Sequence, residues 1–459
     1  MPGVVLVTAV LLGGVAAAAG ADTGPEAAAK ANEPETIWQR ATLTGSWNGI
    51  RTRLEAAGVT LGLQEQSEVW ANVSGGLRRG MAYDGQTTAS VTLDLDRLLD
   101  WPGAKFFANA YQIHGSGPTV NLVGNLQVVS SIEATRDTKL FELWIEQALW
   151  NGRLSIRSGQ GGVNDEMMSS QYSALFLNSS FGLPGLSTAD LPSGGPTYPM
   201  ATPFARVRFK ASDRITFLAG IFNGDPAPLG SGDPQLRDKG GVAFRTNDHV
   251  LGAAEIWYSI NQGDGATGLP GIYKIGGWVH SGQFADRLYD TNGVSLASPA
   301  SNGVPAVHSP DFAVYGIVDQ MVWRKPGSDN QGIGAFVHII GAPSEFNFSN
   351  LFIAAGLNWT GPFEGGESDV FGIAVSYLGI SPATRRFGSD LVNFNGQGAP
   401  YLGNETVVEA TWQIQVAPWW TVQSDLQIVV NPGAGIPTAG VTAHLRQAVI
   451  AGLRMGITF

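Results

Sequence analysis

The sequence predicts an all-β protein, a transmembrane antiparallel β-barrel of about 16 strands with a short N-terminal amphipathic helix. Three observations lead there. The chain ends in AVIAGLRMGITF, in which Val449, Ala451, Leu453, Met455, Ile457 and Phe459 form an apolar set. They alternate with Ile450, Gly452, Arg454, Gly456 and Thr458, and a period of two with unlike faces is a strand between an apolar and a wet environment. A soluble protein seldom leaves such a strand as an unpaired edge. Second, charged residues are 14% of the 459 residues, against ~25% in soluble domains. Yet no interior apolar run reaches the ~18 residues of a helical span. Third, strand-like segments recur with connections that are short at one end and long at the other, the layout of an outer-membrane barrel.

Residues 1–21, MPGVVLVTAVLLGGVAAAAGA, resemble a secretory signal with an Ala19-Gly20-Ala21 cleavage site, although no Lys or Arg precedes Lys30. Export with cleavage is preferred to an uncleaved anchor helix. Residues 22–42 are polar and low in complexity and read as a flexible lead. Residues 43–58, within LTGSWNGIRTRLEAAGV, read as an amphipathic helix on the periplasmic side. Ile50, Leu54 and Ala57 share a face, Ser46 is the expected N-cap, and Gly58 sits where a helix stops.

From residue 59 to 459 the period is two. In FELWIEQALWNGRLSIRSG, Phe141, Leu143, Ile145 and Leu149 alternate with Glu142, Trp144, Glu146 and Ala148. Asn151-Gly152 then supplies a type I′ turn, which needs positive φ at both positions. Arg206, Arg208 and Lys210 share one face of the next example, opposite Val207 and Phe209. Near the end, Glu409, Thr411, Gln413 and Gln415 oppose Val408, Ala410, Trp412, Ile414 and Val416, and Thr421, Gln423, Asp425 and Gln427 oppose Val422, Leu426, Ile428 and Val430. Strands are expected near 59–72, 86–96, 104–114, 138–150, 153–160, 205–211, 215–223 and 249–260. Eight more fall near 271–281, 311–324, 331–342, 350–360, 368–380, 405–417, 420–430 and 443–459. The long connections are 115–137, 161–204, 224–248, 282–310 and 381–404. An even count puts both termini at the short-turn end. Trp101, Trp150, Trp323, Trp359, Trp419 and Trp420 fall beside short turns, where an interfacial aromatic girdle would place them.

A barrel of this size encloses water, so any selectivity lies in what lines and narrows it. The polar faces offer Asp94, Asp96, Glu142, Glu146, Arg153, Arg157, Arg206, Arg208, Lys210, Glu255, Lys274 and His280. Both signs are present, which suits a neutral, hydroxyl-rich solute whose OH groups donate and accept. Trp144, Trp257 and Trp278 share those faces and are placed to stack on a sugar ring. The plainer reading is that the charges pair across the lumen and hold the wall rigid. The 161–204 connection, with DLPSGGPTYPMATP, is expected to fold into the lumen as its constriction and to carry Asp190, Tyr198, Asp165 and Glu166 toward the pathway; an outer lid is the alternative.

Other classes find little support. The net charge of -11 argues against nucleic acid, and the absence of Cys removes disulfide and thiolate-metal frameworks. The six His (His114, His249, His280, His308, His338, His444) show no metal-ligand spacing, and no nucleophile or phosphate-loop motif stands out. Glu142 and Glu146 are four apart on one strand face, roughly 13 Å, too far for a glycosidase pair.

LTGSWNGIRTRLEAAGV followed by VWANVSGGLRRG resembles the N-terminal signature of the carbohydrate-selective porin family, the OprB type. ADLPSGGPTYPMATP, FNGDP, the DQMVWRKPG stretch and VAPWWTVQSDLQIVVNPGAG are similar to it as well, so the resemblance runs from about Leu43 to Phe459. It implies a channel of the bacterial outer membrane for passive diffusion of glucose and similar sugars. Outer-membrane lipid and mono- or small oligosaccharides are the partners, with no enzyme activity, cofactor or metal, and assembly as a homotrimer is left open. Two rivals are a general porin, or one for polyols, organic acids or amino acids, and a soluble secreted lectin or hydrolase.

Overall fold

The computed structural model describes residues 36–459 except 244, 246, 264–265, 397–402 and 436–444; the signal segment, most of the lead and His444 lie outside the described residues. Sixteen antiparallel strands close into one barrel. They are β1 (Val59–Gly75), β2 (Gly80–Asp94), β3 (Ala104–Ser116), β4 (Asp137–Leu149), β5 (Leu154–Gly161), β6 (Thr202–Lys210), β7 (Ile215–Asn223), β8 (Val250–Ile260) and β9 (Gly271–His280). A two-stranded hairpin, β10 (Phe284–Asp290) with β11 (Pro305–His308), stands apart in a long loop. The barrel resumes with β12 (Asp311–Arg324), β13 (Gly332–Gly341), β14 (Ser349–Thr360), β15 (Val370–Ile380), β16 (Glu405–Ala417), β17 (Trp420–Val430) and β18 (Gln447–Thr458).

Closure is made by β18 on β1, with Glu68 opposite Arg454 and Trp70 opposite Gly452. The terminal strand therefore has no free edge, and its alternation is explained. Leu453 and Met455 face out, whereas Arg454 is buried inside on Glu68. Gly452 is glycine because a Cβ there would meet the Trp70 ring at 2.3 Å. At the short-turn end, Asn151 and Gly152 both have positive φ, and Arg153 N–H donates to Trp150 O at 3.2 Å.

Several local expectations are corrected. The N-terminal helix, α1, covers only Ile50–Ala56, and its N-cap is Gly49 and not Ser46. Residues Trp47, Asn48 and Gly49 all have positive φ, which no helix tolerates, so the chain turns there before it coils. Arg51 nonetheless ties this segment to the barrel seam by donating to Phe459 O at 2.8 Å. In the girdle, Trp101, Trp150, Trp323 and Trp359 are exposed, but Trp419 is buried, donating to Ile37 O at 2.7 Å and stacked on Trp38. Phe141 is also buried and does not face lipid. A bulge in the β3–β4 register pairs Asn109 with Glu142 but Ala110 with Leu140, leaving Phe141 unpaired and turned inward.

Helical turns appear where the sequence showed no helical period: α2 (Leu95–Leu99), α3 (Gly185–Asp190), α4 (Pro234–Arg237) and α5 (Pro382–Asn395). Among the described residues no helix is long and apolar enough to cross a membrane.

Candidate functional site

The segment between β5 and β6 runs through the barrel. Its Met167, Met168, Phe176, Phe181, Leu186 and Leu191 form one apolar cluster with Phe204, Phe222, Phe336 and Phe352 of the wall. One arc of the inner wall is thus apolar because protein, not water, covers it. The sequence reading placed charged residues together with Trp144, Trp257 and Trp278 on the inner faces and did not set this apolar arc apart.

Polar contacts fix the segment's course strand by strand. Met168 N–H donates to Glu255 at 2.7 Å, and Lys274 Nζ donates to Ser169 O at 2.5 Å. Asp319 takes the Ser170 hydroxyl and, at 3.1 Å, Gln171 N–H. Asn358 Nδ2 reaches Tyr172 O at 2.6 Å, and Glu409 accepts from Leu177 N and Asn178 N at 2.6 and 3.0 Å. Those anchors lie on β8, β9, β12, β14 and β16, so the segment crosses the lumen. Asp190, the last residue of α3, accepts from Phe348 N and Ser349 N at 2.8 and 3.1 Å. Burial pushes its carboxyl up to about 8.

A second segment enters beside it. Leu126 N and Gln127 N donate to Glu405 at 2.8 Å each, and Gln427 Nε2 donates to Val129 O at 2.9 Å. Ser131 N donates to Leu177 O and Tyr198 Oη to Ile132 O, joining the two segments. Burial raises the Tyr198 phenol well above its ordinary range, and Glu133, held by Thr119, is raised to about 7 for the same reason.

Where the first segment leaves β5, two arginines and two glutamates form a closed quartet. Arg157 bonds Glu146 at 2.6 Å and Glu166 at 2.5 Å; Arg206 bonds Glu146 at 3.0 Å and Glu166 at 2.6 Å. All four are over nine-tenths buried. Adjacent strands put them together, since Glu146 pairs with Arg157 and Arg157 with Arg206 in register. The loop contributes Glu166. Trp144 carries Arg157 on its ring face at 3.7 Å and donates to Glu142 at 3.0 Å. Arg208 lies at the margin, half-buried and 3.9 Å from Glu146.

The structure therefore brings together Glu142, Trp144, Glu146, Arg157, Arg206 and Arg208, with Glu255 and Lys274 in a second group along the same segment. It does not bring Asp94, Asp96 or Arg153 there. Asp94 caps α2 through Asp96 N and Arg97 N, Asp96 is exposed in that helix, and Arg153 is exposed in the turn after β4. The parity that placed them inside ends where these strands do. Trp144 and Trp278 are also not free to stack on a solute. Arg157 covers the first, and the second is buried with its Nε1 3.3 Å from Ser187 Oγ. Trp257 stays half-buried over Lys274.

Sequence reasoning did not single out Glu68, Asp319, Glu405, Glu409, Asp425 or Gln127 as site residues. For Glu409 and Asp425 the signal was present, as both sit on polar strand faces. Gln127 gave none, because its segment resembled an outer loop. Toward the short-turn end, β1, β2, β16 and β17 present amides and hydroxyls to the lumen: Gln64, Gln66, Thr88, Thr92, Gln413, Gln415 and Thr421 are inward by register and half-exposed.

A closed barrel of sixteen strands with segments folded into its lumen defines a porin. The model of the carbohydrate-selective porin, OprB family, matches residues 78–459, and the chain belongs to that family. It is 23% identical to Porin B of Pseudomonas aeruginosa, with 94% of this chain and 93% of that protein covered. It superposes on the high-pH structure of Pseudomonas putida OprB with a TM-score of 0.81 at 21% identity, covering 93% of this chain and 100% of that one. The low-pH structure of the same protein gives a TM-score of 0.56 at 16% identity, with 92% and 99% covered. The protein is thus a carbohydrate-selective porin of the bacterial outer membrane.

Proposed function

We propose that segments 117–136 and 162–201 narrow the barrel to a passage for mono- and small oligosaccharides, with the Arg157–Arg206–Glu146–Glu166 quartet and Arg208 at its charged margin. The observation that carries this reading is the pairing of charge. Two guanidinium groups are matched by two carboxylates, so the wall is polar without a strong field of one sign. A neutral polyhydroxyl solute passing this balanced wall exchanges water for the donors and acceptors left half-exposed, such as Arg208, one at a time, whereas a bare ion gains little. The amide and hydroxyl wall of Gln64, Gln66, Thr88 and Gln413 continues the same chemistry toward the short-turn end. Flux is passive, and contacts must stay weak, since tight binding stops conduction. No covalent step or cofactor is involved.

A second reading is a porin for organic acids, favoured by Arg206, Arg208 and Lys210 on one face of β6. Liposome swelling with a series of sugars, paired with reversal potentials in a salt gradient, separates them. Size-graded sugar permeation with weak ion selectivity supports the sugar reading. Strong anion selectivity with no current block by any sugar defeats it.

A further inference from the structure

At the long-loop end of the barrel, three residues from distant parts of the chain come together. Asp190 ends α3, Asp311 opens β12, and Asn347 lies in the connection from β13 to β14. All three are more than nine-tenths buried. Hydrogen bonds link them in a row. Asp190 Oδ1 accepts from Phe348 N and Ser349 N, the two residues after Asn347, and Asn347 Nδ2 donates to Asp311 Oδ1 at 2.9 Å. Phe312 N donates to that same Asp311 oxygen at 2.7 Å.

Each residue is thereby left with one unused oxygen. Asp190 Oδ2, Asp311 Oδ2 and Asn347 Oδ1 are buried and accept nothing. Burial first, and the Asp311 charge with it, push the Asp190 carboxyl up. Among the described residues no Lys, Arg or His nitrogen lies within 4.0 Å of either carboxylate. Arg287 acts on Asp190 only from farther away, with its Nε donating to Phe346 O at 3.2 Å.

The count of donors limits what can satisfy these oxygens. The neighbouring donors, Asn347 Nδ2, Phe312 N, Phe348 N and Ser349 N, are already engaged by the other oxygens. A proton shared by the two carboxyls answers two oxygens and leaves the Asn347 amide oxygen over. A water has two protons to give and itself needs a donor. A cation answers all three at once. Carboxylate and amide oxygens, with no nitrogen or sulfur, are ligands for a hard ion. Among the described residues no three His, Asp or Glu converge, so a transition metal has no ligand set here. Calcium accepts irregular oxygen sets, whereas magnesium keeps several waters that a buried set strips away.

We propose that Asp190, Asp311 and Asn347 bind one calcium ion at the outer mouth of the barrel, pinning the end of α3 to the wall. The ion takes the place of the proton that Asp190 otherwise holds, so the two compete for one carboxyl. It fixes the infolded segment at its outer end, in addition to the anchors along β8 to β16. The proposal does not depend on which solute passes.

Protein refolded in detergent without lipopolysaccharide, itself a calcium binder, provides the test. Titration calorimetry with CaCl2 should show one ion per chain, with a Kd of about 10⁻⁴–10⁻³ M, as for extracellular calcium modules. CaCl2 should raise the unfolding temperature by several degrees over EDTA, and NaCl of equal ionic strength should not. Asp311→Asn and Asp190→Asn should each weaken binding about ten-fold or more. Asp213→Asn, exposed at the short-turn end, should bind as the wild type does. If neither cluster variant folds, anomalous density in crystals soaked with terbium, a calcium substitute, decides by lying at these three oxygens or elsewhere. The proposal is overturned by the absence of saturable calcium binding, by an equal shift in NaCl, by folded cluster variants that bind as the wild type does, or by terbium located away from the three residues.

Discussion

Glu166 is the one member of the charged quartet that the barrel wall does not supply. It neutralises two buried guanidinium groups and at the same time ties the infolded segment to β5 and β6. Removing one partner of a buried ion pair leaves an uncompensated charge, at a cost of about 3–5 kcal/mol. Glu166→Gln should therefore lower the unfolding temperature and move the reversal potential in a KCl gradient toward anion selectivity. An unchanged reversal potential would show that the quartet lies outside the ion path. Asp190 acts differently, because its carboxyl is raised to about 8 by burial and only Oδ1 has partners. A carboxyl whose folded value lies above its ordinary 3.8 binds a proton that the unfolded chain has lost. Stability therefore falls as pH rises from about 4 to 8, by at most ~1.4 kcal/mol per pH unit. Asp190→Asn keeps the acceptor oxygen and removes the titration. Thermal unfolding followed across that range should slope for the wild type and flatten for the variant.

Between residues and barrel stands the infolded segment, which is closer to a small core than to a loop. Its apolar side packs on Phe204, Phe222, Phe336 and Phe352, and its backbone N–H groups are taken by Glu255, Asp319 and Glu409. Replacing residues 169–190 by a short Gly-Ser linker should raise single-channel conductance several-fold and abolish discrimination between small and large sugars in liposome swelling. A linker variant that keeps wild-type size discrimination would place the constriction elsewhere. This element also marks how far the sequence could be read. The strands were legible because alternation is a local property, and positions such as Glu409 and Gln427 declared their face in six or seven residues. The quartet was half legible: Arg157 and Arg206 lay on visible polar faces, but their pairing depends on register, which Asn151-Gly152 sets for one hairpin only. The course of 117–136 was not legible, since Gln127 and Ser131 find their partners on β16 and β18. The inward turn of Phe141 was hidden for a related reason, as a bulge shifts parity without any mark in composition.

At the scale of the whole barrel the weak place is the seam, where the first strand must find the last across almost the full sequence. Inside, Arg454 pairs with Glu68; at the short-turn end, Leu43 N–H donates to Thr458 O at 2.8 Å and Phe459 N–H to Leu63 O at 2.9 Å. Arg51 reaches Phe459 O at 2.8 Å while its guanidinium lies 4.2 Å from the Trp47 ring centroid, and Ile37 O receives the Trp419 indole. The N-terminal turns therefore act as a clasp over the closing strands, through contacts that involve no member of the charged quartet. Stability and selectivity should separate on this account. Arg51→Ala removes a charge-assisted hydrogen bond of about 1.5–3 kcal/mol together with the ring contact, without touching any lumen group. The variant should convert to its unfolded electrophoretic form at a lower temperature, yet show the same ratio of swelling rates for small and large sugars. If that ratio changed instead, the clasp would be acting on the passage itself, and the seam could not be treated as a purely mechanical closure.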